Sequence, residues 1–298
     1  MSVRLIAYPP DGAATTYLRR TPQRLRIGRA PECDCRLDHP SISRLHAELV
    51  CADGHWRLHD AGSKNGSFVG GERLTGPVTL ADVAWLRFGD VHCEFSVLDE
   101  ASAGRAEQLL AQRRESMLAF SQRVQQLTAL PDLLDETLRA VVELADCERG
   151  FLLLSGEHGL RVHASHGLAP RDLRSNEFLG SAGAAQRALR ERAAVVVNDI
   201  SADAELSGRA SVLAGGLRAV LCLPLLADAE TIGLVYADSR RPHAAIGTLD
   251  LELLRAFGER AALWIAARRI DESLLALAAQ PPAAWVEAFA IPASGSVA

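Results

Sequence analysis

The sequence predicts two domains of different class, an all-β sandwich over residues 1–98 and an α+β domain over residues 131–279. Three observations carry that division. Up to residue 98, short apolar runs alternate with breaks rich in Gly, Pro, Asn and Asp, and no helical periodicity is sustained. From Asp99 the chain turns into a long Pro-free stretch, a helical linker over residues 99–130. After Pro131, strand-like and helix-like stretches alternate, as in a mixed sheet-and-helix layer structure. At 298 residues the chain is long enough to bury both cores.

In the first domain the strand-like runs are residues 3–8, 16–18, 25–27, 35–37, 47–50, 56–59, 67–69, 72–74, 84–88 and 92–97. Asp53-Gly54 and Gly70-Gly71 suit tight hairpin turns, because such turns require positive φ at their central residues. Asn65-Gly66 and Gly89-Asp90 mark further turns. Many short strands at close spacing favour a sandwich or barrel.

The linker reads as one helix over residues 100–126. Leu110, Met117 and Val124 recur every seven residues, with Phe120 and Leu127 on the interleaved line and Arg113 interrupting it. That stripe suits either a helix of a second copy or the chain's own second domain.

Pro131 opens a helix over residues 132–145, where a first-turn proline loses no hydrogen bond. Strand-like runs follow at 151–154, 160–164, 195–198, 219–225 and 232–238, with helical stretches near 182–192 and 203–214. A last helix runs from Thr248 to about Ala279, with Leu251, Leu254, Phe257, Ala261 and Trp264 or Ile265 on one face. Residues 280–298 form an Ala/Pro/Ser-rich tail of disordered composition that contains Trp285, Val286 and Phe289.

Composition narrows the function. A net charge of −5 argues against a general nucleic-acid partner, which needs a basic face. No apolar run reaches the ~18 residues that would span a bilayer, and no secretory signal opens the chain. The six cysteines at 33, 35, 51, 93, 147 and 222 fit reduced thiols in the cytoplasm, and Cys33-Asp34-Cys35 has too short a spacer for a zinc knuckle. No metal or cofactor is expected. His163 and His166 lack further ligands, and Cys222 lies in an apolar run that suits core packing.

The chemistry concentrates between Ile27 and Ser67. Gly28-Arg29, Ser43-Arg44-Leu45-His46 and Ser63-Lys64-Asn65-Gly66-Ser67 fall on breaks between strands, where loops can converge at one end of a sheet. Basic charge in this chain is almost all arginine, and its one lysine, Lys64, lies here. Two guanidiniums, an ammonium, hydroxyls and an amide, without a carboxylate pair or a nucleophile with its base, suit holding a phosphate rather than transforming it.

The stretches Ile27-Gly28-Arg29, residues 37–48 and residues 60–69 resemble the forkhead-associated (FHA) domain, over essentially residues 2–98. The resemblance implies a β-sandwich that binds phosphothreonine peptides through loops at one end, a class of Arg-cluster phospho-readers. It also implies that Arg29 and Ser43 contact the phosphate, that Arg44 adds a second charge, and that Asn65 holds the peptide main chain. Gly28, His46 and Gly66 are then loop-shaping. Lys64 departs from the family, which often has Thr or Ser there; it either reinforces the anion site or turns to solvent. The alternative for Arg29 and Ser43 is that they only brace the loops.

Residues 219–225, 232–239 and 249–254, with 147–154 and 195–199 upstream, resemble the GAF domain over about residues 130–270. That implies a central antiparallel sheet with helices on one face, dimerisation through terminal helices, and in many members a small ligand. The Asn-Lys-Phe-Asp-Glu signature of the cyclic-nucleotide subset is absent.

Together the two resemblances imply a non-catalytic signalling adaptor. Its expected partners are a threonine-phosphorylated protein, such as a Ser/Thr kinase or its substrate, and a second copy of the chain. The chain ends soon after its last helix, so a partner is expected to supply the output. Two alternatives stay open. One is a small-molecule-gated regulator whose second-domain pocket takes an unknown small ligand. The other is a thiol redox enzyme using Cys147 or Cys222.

Overall fold

The computed structural model describes residues 2–10, 12–20, 22–156, 159–168, 179–198, 217–228, 230–241 and 245–279. The expected helix at 203–214, the hairpin tip at 157–158 and the tail from residue 280 lie outside them.

Strands β1 (Ser2–Tyr8), β2 (Thr15–Arg20), β3 (Arg24–Gly28), β4 (Cys35–Arg36), β5 (Ala47–Ala52), β6 (His55–Asp60), β7 (Ser67–Val69), β8 (Glu72–Arg73), β9 (Val78–Thr79), β10 (Val83–Phe88) and β11 (Val91–Leu98) form two sheets. Their orders are β2-β1-β11-β10-β7-β8 and β4-β3-β5-β6-β9. Alternate residues turn inward, so Val3 and Leu5, Leu25 and Ile27, Leu49, Leu58, Leu86, Phe88 and Phe95 make one core between the sheets. Asp53 and Gly54, with φ of 53° and 79°, turn β5 into β6, as a primed hairpin turn requires. The two-residue β9 was not evident in the sequence.

Helix α1 (Glu100–Gln126) follows β11 directly. Asp99 caps it, its carboxylate accepting the Ser102 N–H at 2.7 Å. Met117, Phe120 and Val124 are buried in the core of the chain's own second domain, so that part of the stripe packs intramolecularly. Arg113, the interruption of the stripe, pairs with the buried Asp250 at 2.6 Å.

The second domain contains α2 (Leu130–Leu144), β12 (Arg149–Gly156), β13 (Gly159–His166), α3 (Leu179–Glu191), β14 (Val195–Asn198), β15 (Ala219–Ala227), β16 (Glu230–Ser239) and α4 (Thr248–Ala279). Its sheet, β13-β12-β16-β15-β14, is antiparallel at every pairing. The strands are apolar on both faces, and period two sorts them. Leu152, Leu154, Leu221, Leu223 and Val235 share one cluster with residues of α2 and α4, over which α1 packs, whereas Phe151, Leu153, Val220, Cys222 and Tyr236 share the cluster that includes Ala188 of α3. Helices therefore cover both faces, not one face as the resemblance implies.

The domains meet through the β1–β2 loop. Ala14 donates its N–H to the Ile246 carbonyl at 2.9 Å and accepts the Thr248 N–H at 2.8 Å. Asn198, at the end of β14, holds both main-chain groups of Ile246, at 2.9 and 3.2 Å. Ala13 is buried within the second domain's core cluster.

Candidate functional site

The loops after β3, before β5 and before β7 are joined at one end of the sandwich by main-chain hydrogen bonds. Arg29 donates its N–H to the Ser43 carbonyl at 2.9 Å, and Ala30 donates to the Arg44 carbonyl at 3.1 Å. Gly28 allows this closeness. A β-carbon there would lie 2.3 Å from the Arg44 carbonyl oxygen, well inside contact distance. The Ser43 hydroxyl accepts the Lys64 N–H at 3.1 Å, which brings in the third loop. Asn65 donates its side-chain amide to the Ser41 carbonyl at 2.8 Å.

His46 is fully buried beneath these loops. Its Nδ1 accepts the Ser43 N–H at 3.1 Å, so in the neutral ring Nε2 carries the proton and donates it to the Gly66 carbonyl, also at 3.1 Å. Burial lowers its pKa and keeps the ring neutral. Gly66 has φ of 80°, a left-handed conformation that glycine adopts without strain.

Asp60 organises the third loop. One carboxylate oxygen accepts the N–H groups of Gly62 and Ser63, and the other accepts the hydroxyls of Ser63 and Ser67, at 2.6 to 3.0 Å. Burial alone would raise its pKa, but these bonds outweigh burial and hold the carboxyl below its usual range. Ser63 in turn accepts the Gly66 N–H at 3.0 Å. Asp60 was given no role in the sequence, and Ser63 was named only as part of a cluster, although an Asp followed by Gly and Ser at Asx-turn spacing is a usable signal.

Ion pairing among the domain's cations is uneven, and Arg57 of β6 is exposed without an ion-pair partner among the described residues. Arg4, Arg24, Arg26 and Arg36 are paired with Glu94, Glu48, Asp34 and Asp38. Arg29, Arg44 and Lys64 are exposed, with no ion-pair partner among the described residues. The lone pair of Ser43 that faces Lys64 is occupied, and its own O–H is left to donate. Both nitrogens of His46 and both oxygens of Asp60 are engaged, so neither is a free general base. The exposed cations and the Ser43 O–H suit an arrangement that can hold a dianion.

In the second domain, Cys147 and Cys222 are buried, and burial raises both thiols, Cys222 to about 12. His163 and His166 are exposed on β13. No cluster of three or more His, Cys, Asp or Glu suited to a metal occurs among the described residues. No described helix is long and apolar enough to cross a membrane.

Residues 25–89 match the FHA domain family, and residues 129–265 match the GAF domain family. The chain carries an FHA domain followed by a GAF domain. Curated relatives of the FHA part are bacterial. The oxoglutarate dehydrogenase inhibitor of Corynebacterium diphtheriae is 36% identical over 74 residues, 22% of this chain and 52% of that protein. The transcriptional regulatory protein EmbR of Mycobacterium tuberculosis is 34% identical over 90 residues, 30% of this chain and 21% of that protein. The chain thus spans about half the length of the first relative and about a fifth of the second.

Among solved structures, an FHA domain studied for phosphothreonine-dependent interactions is 26% identical, covering 32% of this chain and 98% of its own, with a TM-score of 0.29. M. tuberculosis EmbR in complex with a low-affinity phosphopeptide is 32% identical, covering 31% of this chain and 24% of its own, with a TM-score of 0.26. A GAF domain from Pseudomonas syringae pv. tomato is 21% identical, covering 58% of this chain and 98% of its own, with a TM-score of 0.43.

Proposed function

We propose that the chain is a non-catalytic signalling adaptor whose FHA domain binds threonine-phosphorylated proteins, a Ser/Thr kinase or its substrate among them. One observation carries this reading: Arg29, Arg44 and Lys64 stand on loops tied together by hydrogen bonds, exposed and without ion-pair partners among the described residues, beside a Ser43 hydroxyl left to donate. A phosphothreonine carries about −1.5 to −2 charge at pH 7 and three acceptor oxygens, which this donor set complements. Arg29 and Ser43 then contact the phosphate, Arg44 and Lys64 supply flanking charge, and Asn65 holds the peptide main chain. The test is calorimetry on the full chain against phosphorylated and unphosphorylated threonine peptides. Arg29→Ala should abolish binding with the unfolding temperature unchanged; unaltered affinity refutes the pocket.

The GAF domain's proposed role is dimerisation. Leu263, Ile270, Leu274, Leu275 and Leu277 of α4 are all more than half exposed, an unusual load of large apolar side chains for one helix. Two FHA domains in one dimer would raise avidity by ~10²–10⁴ where geometry permits. Sedimentation should show a dimer that Leu274→Glu dissociates, and a monomeric wild type would rule this out.

The ligand-gated alternative has its own observation, a groove of about 610 Å³ between β12, β13 and α4 lined by Ser155, Arg161, His163, Arg269 and Ser273. Thermal shift against nucleotide and metabolite panels separates the two roles. The thiol-redox alternative is weakened, because both of its nucleophiles are buried thiols with raised pKa.

A further inference from the structure

The environment of Gly66 places one more cation at the phosphate end of the sandwich. Arg73 belongs to the edge strand β8 and pairs with Phe68 across β7. Its guanidinium does not extend outward from the edge. It runs back along β7 to the preceding loop and lies on the α-carbon face of Gly66. A β-carbon built on Gly66 would fall 2.8 Å from Arg73 Nε and 3.1 Å from one terminal nitrogen. The missing side chain of Gly66 is therefore the seat of that guanidinium, a role separate from the residue's positive φ.

Three features make this seat a recognition position. Gly66 directly follows Asn65, so the guanidinium sits against the residue next in the chain to the one assigned to the peptide main chain. Arg73 is exposed and has no ion-pair partner among the described residues, although Glu72 precedes it and Asp60 organises the same loop. Asp60 is not available to it, because both carboxylate oxygens already accept hydrogen bonds from residues 62, 63 and 67. A guanidinium with an open planar fork matches a carboxylate in bidentate fashion, which a lysine there would not do.

We propose that Arg73 is a specificity-determining residue of this site, reading an acidic side chain that flanks the phosphothreonine in the ligand. The proposal rests on the phosphothreonine reading and refines it. Arg29, Arg44 and Lys64 meet the phosphate, while Arg73 samples the neighbouring sequence. The preferred partner is then a phosphorylated segment with Asp or Glu close to the threonine.

The test uses the full chain and a phosphothreonine peptide library in which each flanking position is fixed in turn as Asp, Ala or Arg. Wild type should favour Asp over Ala at one position by about fivefold, the scale of a partly exposed charge-assisted contact. Arg73→Ala should bind the Ala-fixed peptides as wild type does and lose that preference, and Arg73→Glu should favour Arg at the same position. Absence of an acidic preference in wild type overturns the proposal, as does its persistence in Arg73→Ala. An equal loss on all peptides in Arg73→Ala also overturns it, since Arg73 would then only brace the loop. Arg29→Ala separates the two levels. If it leaves wild-type-like binding, or if wild type binds no phosphopeptide, the phosphothreonine reading fails and Arg73 fails with it. If it abolishes binding while Arg73→Ala changes nothing, only the role of Arg73 fails.

Discussion

His46 couples the loop end of the FHA domain to pH. The folded chain holds the ring neutral because it is buried and because Nδ1 is needed as an acceptor for the Ser43 N–H. In the unfolded chain the ring titrates near its ordinary value of 6.5. Below that value the unfolded state binds more protons than the folded state, so stability falls as pH falls. The contribution is complete above pH 6.5 and is lost progressively towards the lower folded pKa. Denaturant unfolding of wild type between pH 7.5 and about 5 should therefore show a declining free energy. His46→Gln should start less stable at neutral pH, since two buried hydrogen bonds change, but decline less steeply over the same range. Equal slopes would mean that His46 does not carry the dependence. Asp60 acts in the same direction at lower pH. Its depressed pKa gives stability that is present above the ordinary carboxylate value of 3.8 and is lost as pH falls through the folded value. The two windows are thus separable in one titration.

At the scale of elements, two ion pairs of helix α1 show how burial sets the worth of a charge. Arg113 of α1 reaches Asp250 in the first turn of α4, whose other oxygen accepts the Gly247 N–H at 2.9 Å. The Asp250 side chain is only 5% exposed, so removal of its cation leaves a desolvated carboxylate. Arg123 pairs with Glu136 at 2.8 Å, but the arginine side chain is 56% exposed, and Glu136, 14% exposed, keeps a second cation in Arg139 at 3.5 Å. Arg113→Ala should therefore cost about 3 kcal/mol, and Arg123→Ala under about 1 kcal/mol. Comparable losses in chemical denaturation would contradict this account. The same contrast bears on what was legible in the sequence. The 100–126 helix was readable because no proline interrupts it and its stripe is periodic. Why Arg113 breaks that stripe was not readable, since Asp250 is 137 residues away. The site divides in the same way. Arg29, Ser43, Arg44, Lys64 and Asn65 could be nominated because loop residues of those types carry their chemistry locally. Arg73 was missed because its position over Gly66 depends on the β7–β8 register, and β9 was missed because a two-residue, solvent-exposed strand carries no pattern.

For the whole molecule, the decisive contact is the smallest. The β1–β2 loop of the FHA domain runs through Ala13 and Ala14, residues with no polar side chain and no periodicity to mark them. Yet Ala14 forms a parallel bridge to Gly247 and exchanges hydrogen bonds with the chain entering α4. The pairing of Tyr8 with His92, next to the Gly89-Asp90 turn, puts this loop at the same end of the sandwich as the loops proposed to bind phosphate. That turn is itself tied to the site, since Gly89 donates to the Gly66 carbonyl at 3.1 Å and Asp90 donates to the Ser41 hydroxyl at 2.9 Å. Three strand steps separate β7 from β1, about 14 Å at ~4.8 Å per step. The GAF domain therefore abuts the end of the FHA domain at which a phosphopeptide is proposed to lie. A charge in the clasp should break it. Ala13 is 7% exposed among apolar GAF-domain residues, so Ala13→Glu would have to desolvate a carboxylate or expel the loop, and expulsion costs less. Hydrogen exchange followed by mass spectrometry should find the Ala14 and Thr248 amides protected in wild type. Both should lose protection together in Ala13→Glu, while strands β5 and β15 in the two cores keep theirs. Independent behaviour of the two amides, or unchanged protection, would show that the clasp does not join the domains in solution.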